Sequence, residues 1–168
     1  MDRAALICPG RPFCQRNKMN NRYSIKILNQ SPFPLPEYQT PGAAGVDLRA
    51  NLDGKMIIMP HKVYQIPTGI FLEMPIGVEA QIRARSGLAL KHGLSLVNGV
   101  GTIDADYRGE IKIILINLLD KPYQLEPGER IAQMVFSEYV KADFVEVLSV
   151  DELAASKRGD GGFGHSGK

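Results

Sequence analysis

Residues 78–84 read VEAQIRA, and their apolar and polar side chains alternate without interruption. Val78, Ala80 and Ile82 fall on one face of an extended chain, with the polar side chains on the other, which predicts a strand with one buried face. Similar runs recur along most of the chain, the last of them DFVEV at 143–147, and turn signals separate them at roughly 8–12 residues. The sequence therefore predicts an all-β domain, a jelly-roll-like β-barrel of about ten short strands.

Length and composition limit the classes of partner. The chain has 168 residues, of which 44% are hydrophobic and 23% charged, as expected of one globular domain. Its formal charge of +2 is too small to indicate a nucleic-acid partner, and no apolar run approaches the ~20 residues of a membrane span. Cys8 and Cys14 have no nearby Cys or His, so we expect neither a zinc site nor a structural disulfide. We expect any anionic ligand to be small.

The two ends of the chain differ from its middle. Strand-like patterning begins only at Tyr23, which predicts a disordered N-terminal extension at 1–20 and leaves Met19 as an alternative start. The β-barrel domain is expected at 21–150, and a flexible glycine-rich C-terminal arm at 151–168. Because the first residues lack the apolar stretch of a secretory signal, we expect a cytoplasmic location.

One short helix interrupts the strand pattern, and one strand is unusually apolar. SGLALKHG at 86–93 predicts two helical turns, with Ser86 as N-cap and Gly93 as the stop. With Arg85 directly before it, this helix start is a candidate anion site. EIKIILINL at 110–118 is apolar on both faces, which favours a homo-oligomer over coverage by the chain's own loops.

Two segments contain carboxylates within apolar surroundings. Asp47 follows a glycine-rich turn, and it is either a turn residue that caps local amides or a functional carboxylate. The second segment, VNGVGTIDADYRGEI at 97–111, predicts a hairpin around Asn98 and Gly99. Its main-chain groups could pair with a flat heterocycle, and Asp104 beside such a pocket could orient and deprotonate a water molecule.

Two further segments carry polar residues without a core role. Gln133 lies within RIAQMVF, where it either meets a neighbouring subunit's ligand or belongs to a solvated strand face. Residues 158–168 read RGDGGFGHSGK and match phosphate-loop patterns, yet no residues remain for the helix that such loops require. The tail is either frayed or closes over a ligand, where Phe163 could stack on a base and the glycine amides could approach phosphate oxygens.

Taken in order, AGVDLRA, RSGLA, GTIDADYRGE, RIAQMVF and RGDGGFGHSG resemble the five motifs of the homotrimeric dUTP pyrophosphatase (dUTPase) family. The resemblance implies a homotrimer with active sites at subunit interfaces and an arm that closes over the nucleotide from another subunit. The implied reaction is hydrolysis of dUTP to dUMP and pyrophosphate, which limits uracil incorporation into DNA and supplies dUMP for dTMP synthesis.

The same resemblance assigns roles to single residues. Asp104 would be the base that activates water for attack on the α-phosphorus, Arg158 would act on the γ-phosphate like an arginine finger, and Asp47 would hold Mg²⁺ through water. Tyr107 would pack beneath the deoxyribose. The implied substrate-binding residues are Arg85, Ser86, Gly87, Asn98, Gly101, Thr102, Ile103, Tyr107, Gln133, Phe163, Gly164, His165 and Ser166.

Two alternatives share this fold. A dCTP deaminase would need a glutamate in the strand after the third motif, and IKIILINL at 111–118 has no carboxylate. A non-catalytic deoxynucleotide-binding protein would not need Asp104 and Arg158, which are both present.

Overall fold

The computed structural model describes residues 23–161, and within that range the chain is mostly β, as the sequence predicts. It contains one α-helix, α1 (Ser86–His92), and eleven strands. The strands are β1 (Lys26–Asn29), β2 (Gly45–Arg49), β3 (Met56–Ile58), β4 (Val63–Pro67), β5 (Ile70–Glu73), β6 (Val78–Ala84), β7 (Leu94–Leu96), β8 (Val100–Ile103), β9 (Lys112–Asn117), β10 (Tyr123–Leu125) and β11 (Arg130–Glu138). No helix among the described residues is long and apolar enough to cross a membrane.

The strands pair antiparallel in four small sheets. The largest has the order β2-β11-β6-β8, and a three-stranded sheet has the order β4-β9-β7. The pairs β1-β5 and β10-β3 complete the barrel. Because neighbouring strands in these sheets are often distant in sequence, the fold has a jelly-roll-like connectivity, which confirms the predicted fold class.

The core lies between the inner faces of these sheets. Val78, Ala80 and Ile82 are all buried, which confirms the strand predicted from their alternation. From β9, Ile113 and Leu115 enter the same core. The outer face of the β2-β11-β6-β8 sheet is therefore free to carry polar side chains.

The second face of β9 is not fully covered within one chain. Ile114 and Ile116 on that face are only partly buried, and Val63, the register partner of Ile116, is 51% exposed. The oligomer predicted from this strand remains a prediction, but the apolar face on which the prediction rests is present.

The chain beyond the last strand packs on nothing. The amide of Tyr139 donates to the carbonyl of Gly77 at 3.1 Å, and every residue of 140–160 is exposed. The strand predicted at 143–147 is therefore wrong for a single chain. Phe144 in this segment is apolar, yet it is 96% exposed. A strand requires a hydrogen-bonded neighbour, and side-chain propensity alone does not supply one.

Candidate functional site

Asp47 lies between two arginines on the outer face of the largest sheet. Its Oδ1 accepts a hydrogen bond from Nε of Arg85 and its Oδ2 accepts one from Nη1 of Arg130, both at 2.9 Å. Nη1 of Arg85 also donates to the backbone carbonyl of Arg130 at 2.9 Å. Only 10% of the Asp47 side chain is exposed. Asp47 is thus a strand residue in an ion-pair cluster, and the interpretation as a turn-capping residue is wrong.

Strand register brings a third predicted residue to this cluster. Gln133 in β11 lies opposite Asp47 on one side and opposite Arg83 on the other. Its side chain is exposed, so its amide is available to a ligand on the outer face. Three of the resemblance motifs therefore meet on one sheet.

The helix start adjoins the cluster, with one difference from the prediction. The N-cap of α1 is Arg85, whose extended backbone continues β6, and no side chain caps the helix. Ser86 is already the first helical residue, so its prediction as N-cap is wrong, and its side chain is exposed. A Cβ added to Gly87 would meet no atom within 4 Å, so space is open beside it. The predicted stop at Gly93 is confirmed by its left-handed φ of +62°.

The turn around Asn98 is present, but it is not a hairpin. The amide of Gly99 donates to the carbonyl of Leu96 at 3.2 Å, and Gly99 has a φ of +67°. The strands on its two sides pair with different neighbours, β7 with β9 and β8 with β6, because the chain crosses here from one sheet to another. A Cβ on Gly101 would lie 3.2 Å from Nδ2 of Asn98 and 3.3 Å from Cβ of Ile82. The Asn98 amide thus lies against the glycine backbone that the sequence predicts for base recognition.

Asp104 follows the end of β8 and opens the next turn. Its carbonyl accepts a hydrogen bond from the amide of Tyr107 at 3.1 Å, which closes the turn. The Asp104 carboxylate is exposed and has no hydrogen-bond partner within residues 23–161. Thr102 is exposed and Ile103 partly buried on the approach to this turn. The predicted base is therefore free to contact water.

Hydrogen bonds brace this turn from both sides. The Tyr107 hydroxyl donates to the carbonyl of Glu110 at 3.0 Å, and Nη1 of Arg108 donates to the carbonyl of Ala105 at 2.7 Å. The Glu110 carboxylate in turn accepts the amide of Gly69 at 2.8 Å. The sequence predicts no role for Glu110. The only sequence feature that draws attention to this residue is its position in the run YRGE.

Within one chain, Arg85 and Asp104 are held apart. In the β6–β8 register Arg83 lies opposite Val100, whereas Ala80 lies opposite Ile103, the residue before Asp104. Positions 80 and 85 of an extended chain are about 17 Å apart at ~3.4 Å per residue. Arg85 and Asp104 therefore lie at opposite ends of the same strand pair.

The predicted residues of the arm stand apart from both groups. Arg158 lies in an exposed turn, where its Nε donates to the carbonyl of Gly161 at 2.7 Å. No hydrogen bond or ion pair joins it to the barrel residues that the structure describes. The remaining arm residues lie outside the described residues, namely Phe163, Gly164, His165 and Ser166.

The described part of the chain offers no complete metal cage. No group of three or more His, Cys, Asp or Glu side chains in residues 23–161 could hold a metal ion. Each Asp47 oxygen nevertheless accepts only one hydrogen bond here and keeps a second lone pair. That arrangement suits Mg²⁺, which keeps several waters and binds through one or two carboxylates plus substrate phosphates.

Comparisons with known proteins identify the family. Residues 31–167 match the dUTPase family model. The deoxyuridine 5'-triphosphate nucleotidohydrolase of Cytophaga hutchinsonii is 50% identical over 90% of this chain and 97% of its own length.

Solved structures give the same fold. The dUTPase of Staphylococcus bacteriophage 80alpha with dUpNHpp has a TM-score of 0.74 at 24% identity, covering 86% of this chain and 99% of that one. A variant dUTPase of phage phi11 of S. aureus, described with a structural Mg(II) ion, has a TM-score of 0.67 at 21% identity, covering 76% and 99%. Five ordered motifs, the jelly-roll-like fold and these matches together show that the chain belongs to the dUTPase family, the enzymes that hydrolyse dUTP.

Proposed function

We propose that this member of the family hydrolyses dUTP to dUMP and pyrophosphate by attack of an Asp104-activated water on the α-phosphorus. The observation that carries the proposal is the free, exposed Asp104 carboxylate in a turn braced by Tyr107. A carboxylate without an internal partner is available to orient a water molecule and accept its proton. Because the turn is fixed by hydrogen bonds, little reorganisation is needed to align that water.

The turn residues before Asp104 would bind the base. The exposed Asn98 amide lies against the buried Gly101, and the backbone of Gly99 beside it is exposed, so an amide side chain and glycine backbone are presented together. Their donors and acceptors would distinguish uracil from cytosine, because a mismatched edge leaves polar groups unpaired at a cost of ~1–3 kcal/mol each. Tyr107, 44% exposed, would pack beneath the deoxyribose and exclude a 2′-hydroxyl.

The ion-pair cluster around Asp47 would bind the triphosphate. Arg85 is partly exposed, Ser86 and Gln133 are exposed, and all three would contact phosphate oxygens. Asp47 would hold Mg²⁺ through water with the lone pairs that the arginines leave free. When bound, Mg²⁺ offsets charge on the triphosphate.

We infer a homotrimer in which each active site forms between subunits. The support is the separation of about 17 Å between positions 80 and 85, at ~3.4 Å per residue, which holds Arg85 and Asp104 at opposite ends of one strand pair. The partly buried apolar face of β9 and the exposed apolar residues of 140–160 offer surface for such an assembly. The arm, with Arg158 and Phe163, would reach a neighbouring subunit's nucleotide and close over it. The cytoplasmic location stays a prediction from the sequence.

Two measurements test these proposals. With Mg²⁺, pyrophosphate release from dUTP should exceed release from dCTP, dTTP and UTP, whereas ammonia released from dCTP would indicate a deaminase. Light scattering should give three times the 18.5 kDa mass of the chain.

Subunit mixing tests the shared site directly. Arg85→Ala and Asp104→Asn subunits, assayed at a dUTP concentration at which each is nearly inactive alone, should recover activity when unfolded and refolded together, because mixed trimers contain sites with both residues intact. No recovery in trimers shown to be mixed would mean that both residues of a site come from one chain.

A further inference from the structure

We propose that Arg130 is a positioning residue that holds Arg85 in place through Asp47. The inference rests on the proposed function, in which Arg85 binds a phosphate oxygen. Nothing in the sequence assigned a role to Arg130, which stands three residues before Gln133.

A β-bulge sets the direction of the Arg130 side chain. Arg130 lies opposite Arg49 in β2, but Ala132 lies opposite Leu48, so Ile131 is the extra residue. Ile131 and Ala132 are both fully buried, 1% and 0% exposed, and the strand alternation is therefore shifted by one residue at this point. Without the bulge the alternation that places Gln133 outside would place Arg130 inside. Bulges of this kind re-aim side chains near functional sites.

The bulge creates an unfavourable pair, which indicates that the outward direction of Arg130 has a use. It puts Arg130 directly opposite Arg49, and like charges in that position destabilise a sheet. Arg49 donates to the carbonyl of Gly128 at 2.8 Å, whereas Arg130 donates to Asp47. Of these two arginines, only Arg130 is linked through Asp47 to Arg85, the proposed phosphate ligand.

Arg85 is held at two points, one supported by the Arg130 side chain and the other formed by the Arg130 backbone. Its Nε donates to the carboxylate of Asp47, whose other oxygen Arg130 fixes. Its Nη1 donates to the backbone carbonyl of Arg130 itself. Among the residues that the structure describes, Nη2 of Arg85 has no hydrogen-bond partner, so this end of the guanidinium is available to a phosphate.

The physical consequence is preorganisation. A free arginine side chain samples many rotamers and must lose that freedom when it binds substrate. The Arg85 side chain has already lost most of this rotamer freedom before dUTP binds. Without the Arg130 guanidinium, one Asp47 oxygen loses its partner, the carboxylate can rotate, and the contact that aligns Nε of Arg85 weakens.

The test is Arg130→Gln in the full-length protein with Mg²⁺, with Arg49→Gln as the matched control. Both changes remove one positive charge from the same pair of register positions, but only the first removes a bond to Asp47. For Arg130→Gln we expect a roughly tenfold higher KM for dUTP, the size of effect expected from one hydrogen bond to a charged group, with kcat within about threefold of wild type. For Arg49→Gln we expect KM within about twofold.

A double-mutant cycle separates positioning from direct phosphate binding. In an Arg85→Ala background, Arg130→Gln should raise KM no further, because the side chain that it positions is gone. An unchanged KM in Arg130→Gln, an equal rise in Arg49→Gln, or a full additional rise in the Arg85→Ala background would each overturn the inference. If Arg130→Gln does not fold, Arg130→Lys, which keeps the charge but not the planar guanidinium, enters the same cycle as a milder change.

Failure of the underlying function gives a different result. If the wild-type protein released no pyrophosphate from dUTP, or if Arg85→Ala alone left KM unchanged, the proposed function would be wrong, independently of Arg130.

Discussion

Replacing Asp104 by Asn should remove catalysis while leaving the fold and dUTP binding intact. The side chain is exposed and forms no hydrogen bond within residues 23–161, and the turn depends only on the Asp104 backbone carbonyl. Asn has nearly the same shape and keeps that carbonyl. The free energy of unfolding should therefore change by no more than about 0.5 kcal/mol, as for other surface substitutions without partners.

The effect on rate follows from the role of a general base. Proton transfer to a positioned side chain typically contributes 10²–10⁴-fold, and an amide cannot accept the proton. The barrier should therefore rise by about 3–5 kcal/mol, at 1.36 kcal/mol for each tenfold change in rate. An effect below tenfold would be too small for the loss of a base.

Three measurements on the same protein decide the matter. Pyrophosphate release gives kcat, calorimetric titration with a non-hydrolysable dUTP analogue gives binding, and thermal unfolding gives stability. Asp106→Asn is the matched control, because Asp106 is exposed in the same turn and should tolerate the change. Turnover at the wild-type rate in Asp104→Asn, or equal losses in both variants, would show that another group activates the water.

Three further outcomes are expected. Deleting residues 158–168 should slow dUTP hydrolysis yet leave the melting temperature within about 2 °C, because the exposed chain before them packs on nothing; a large drop in melting temperature would contradict this. In Gly109→Ala the new Cβ would collide with the Tyr107 hydroxyl, so the preference for dUTP over UTP in kcat/KM should fall about tenfold, and unchanged preference would count against the sugar contact. Burial and a hydrogen bond to the Glu129 carboxylate raise the pKa of Tyr123 in the folded protein. The protonated phenol therefore contributes its full share to the free energy of unfolding below pH ~10, the pKa of an unfolded tyrosine, and that share is lost as the pH rises above this value. Tyr123→Phe should therefore flatten the alkaline fall of the urea midpoint, and an unchanged slope would exclude this phenol as its cause.

Local patterns predicted the parts of the fold that depend on local physics. The alternation in VEAQIRA identifies β6 because burial of one sheet face imposes a period of two. Gly93 ends α1 because a left-handed backbone favours glycine. The strand predicted at 143–147 fails for the opposite reason, since its propensity is local but its hydrogen-bond partner would have to come from elsewhere.

The site shows a similar division. Asp104 could be proposed as the base because a carboxylate beside a glycine-rich turn has few structural explanations; the structure leaves its side chain free, and its role stays a prediction. The prediction of Ser86 as N-cap was wrong because the start of the helix depends on where the extended backbone of β6 ends. The presence of a serine does not reveal that position. The direction of the Arg130 side chain could not be predicted because it depends on a bulge, and a bulge is a property of two paired strands.

The same strand register supports the proposal that no single chain contains the whole site. An antiparallel pair places the residues after one strand beside the beginning of its partner, so Arg85, after β6, lies at the start of β8, and Asp104, after β8, lies at the start of β6. A phosphate ligand and a base held at opposite ends of one strand pair cannot act on the same phosphorus atom. In the proposed mechanism these two residues can act together only if a second copy of the chain presents its Asp104 to Arg85 of the first copy. In the proposed mechanism oligomerisation is therefore required, and we expect a folded monomer to bind nucleotide weakly and to show almost no hydrolysis.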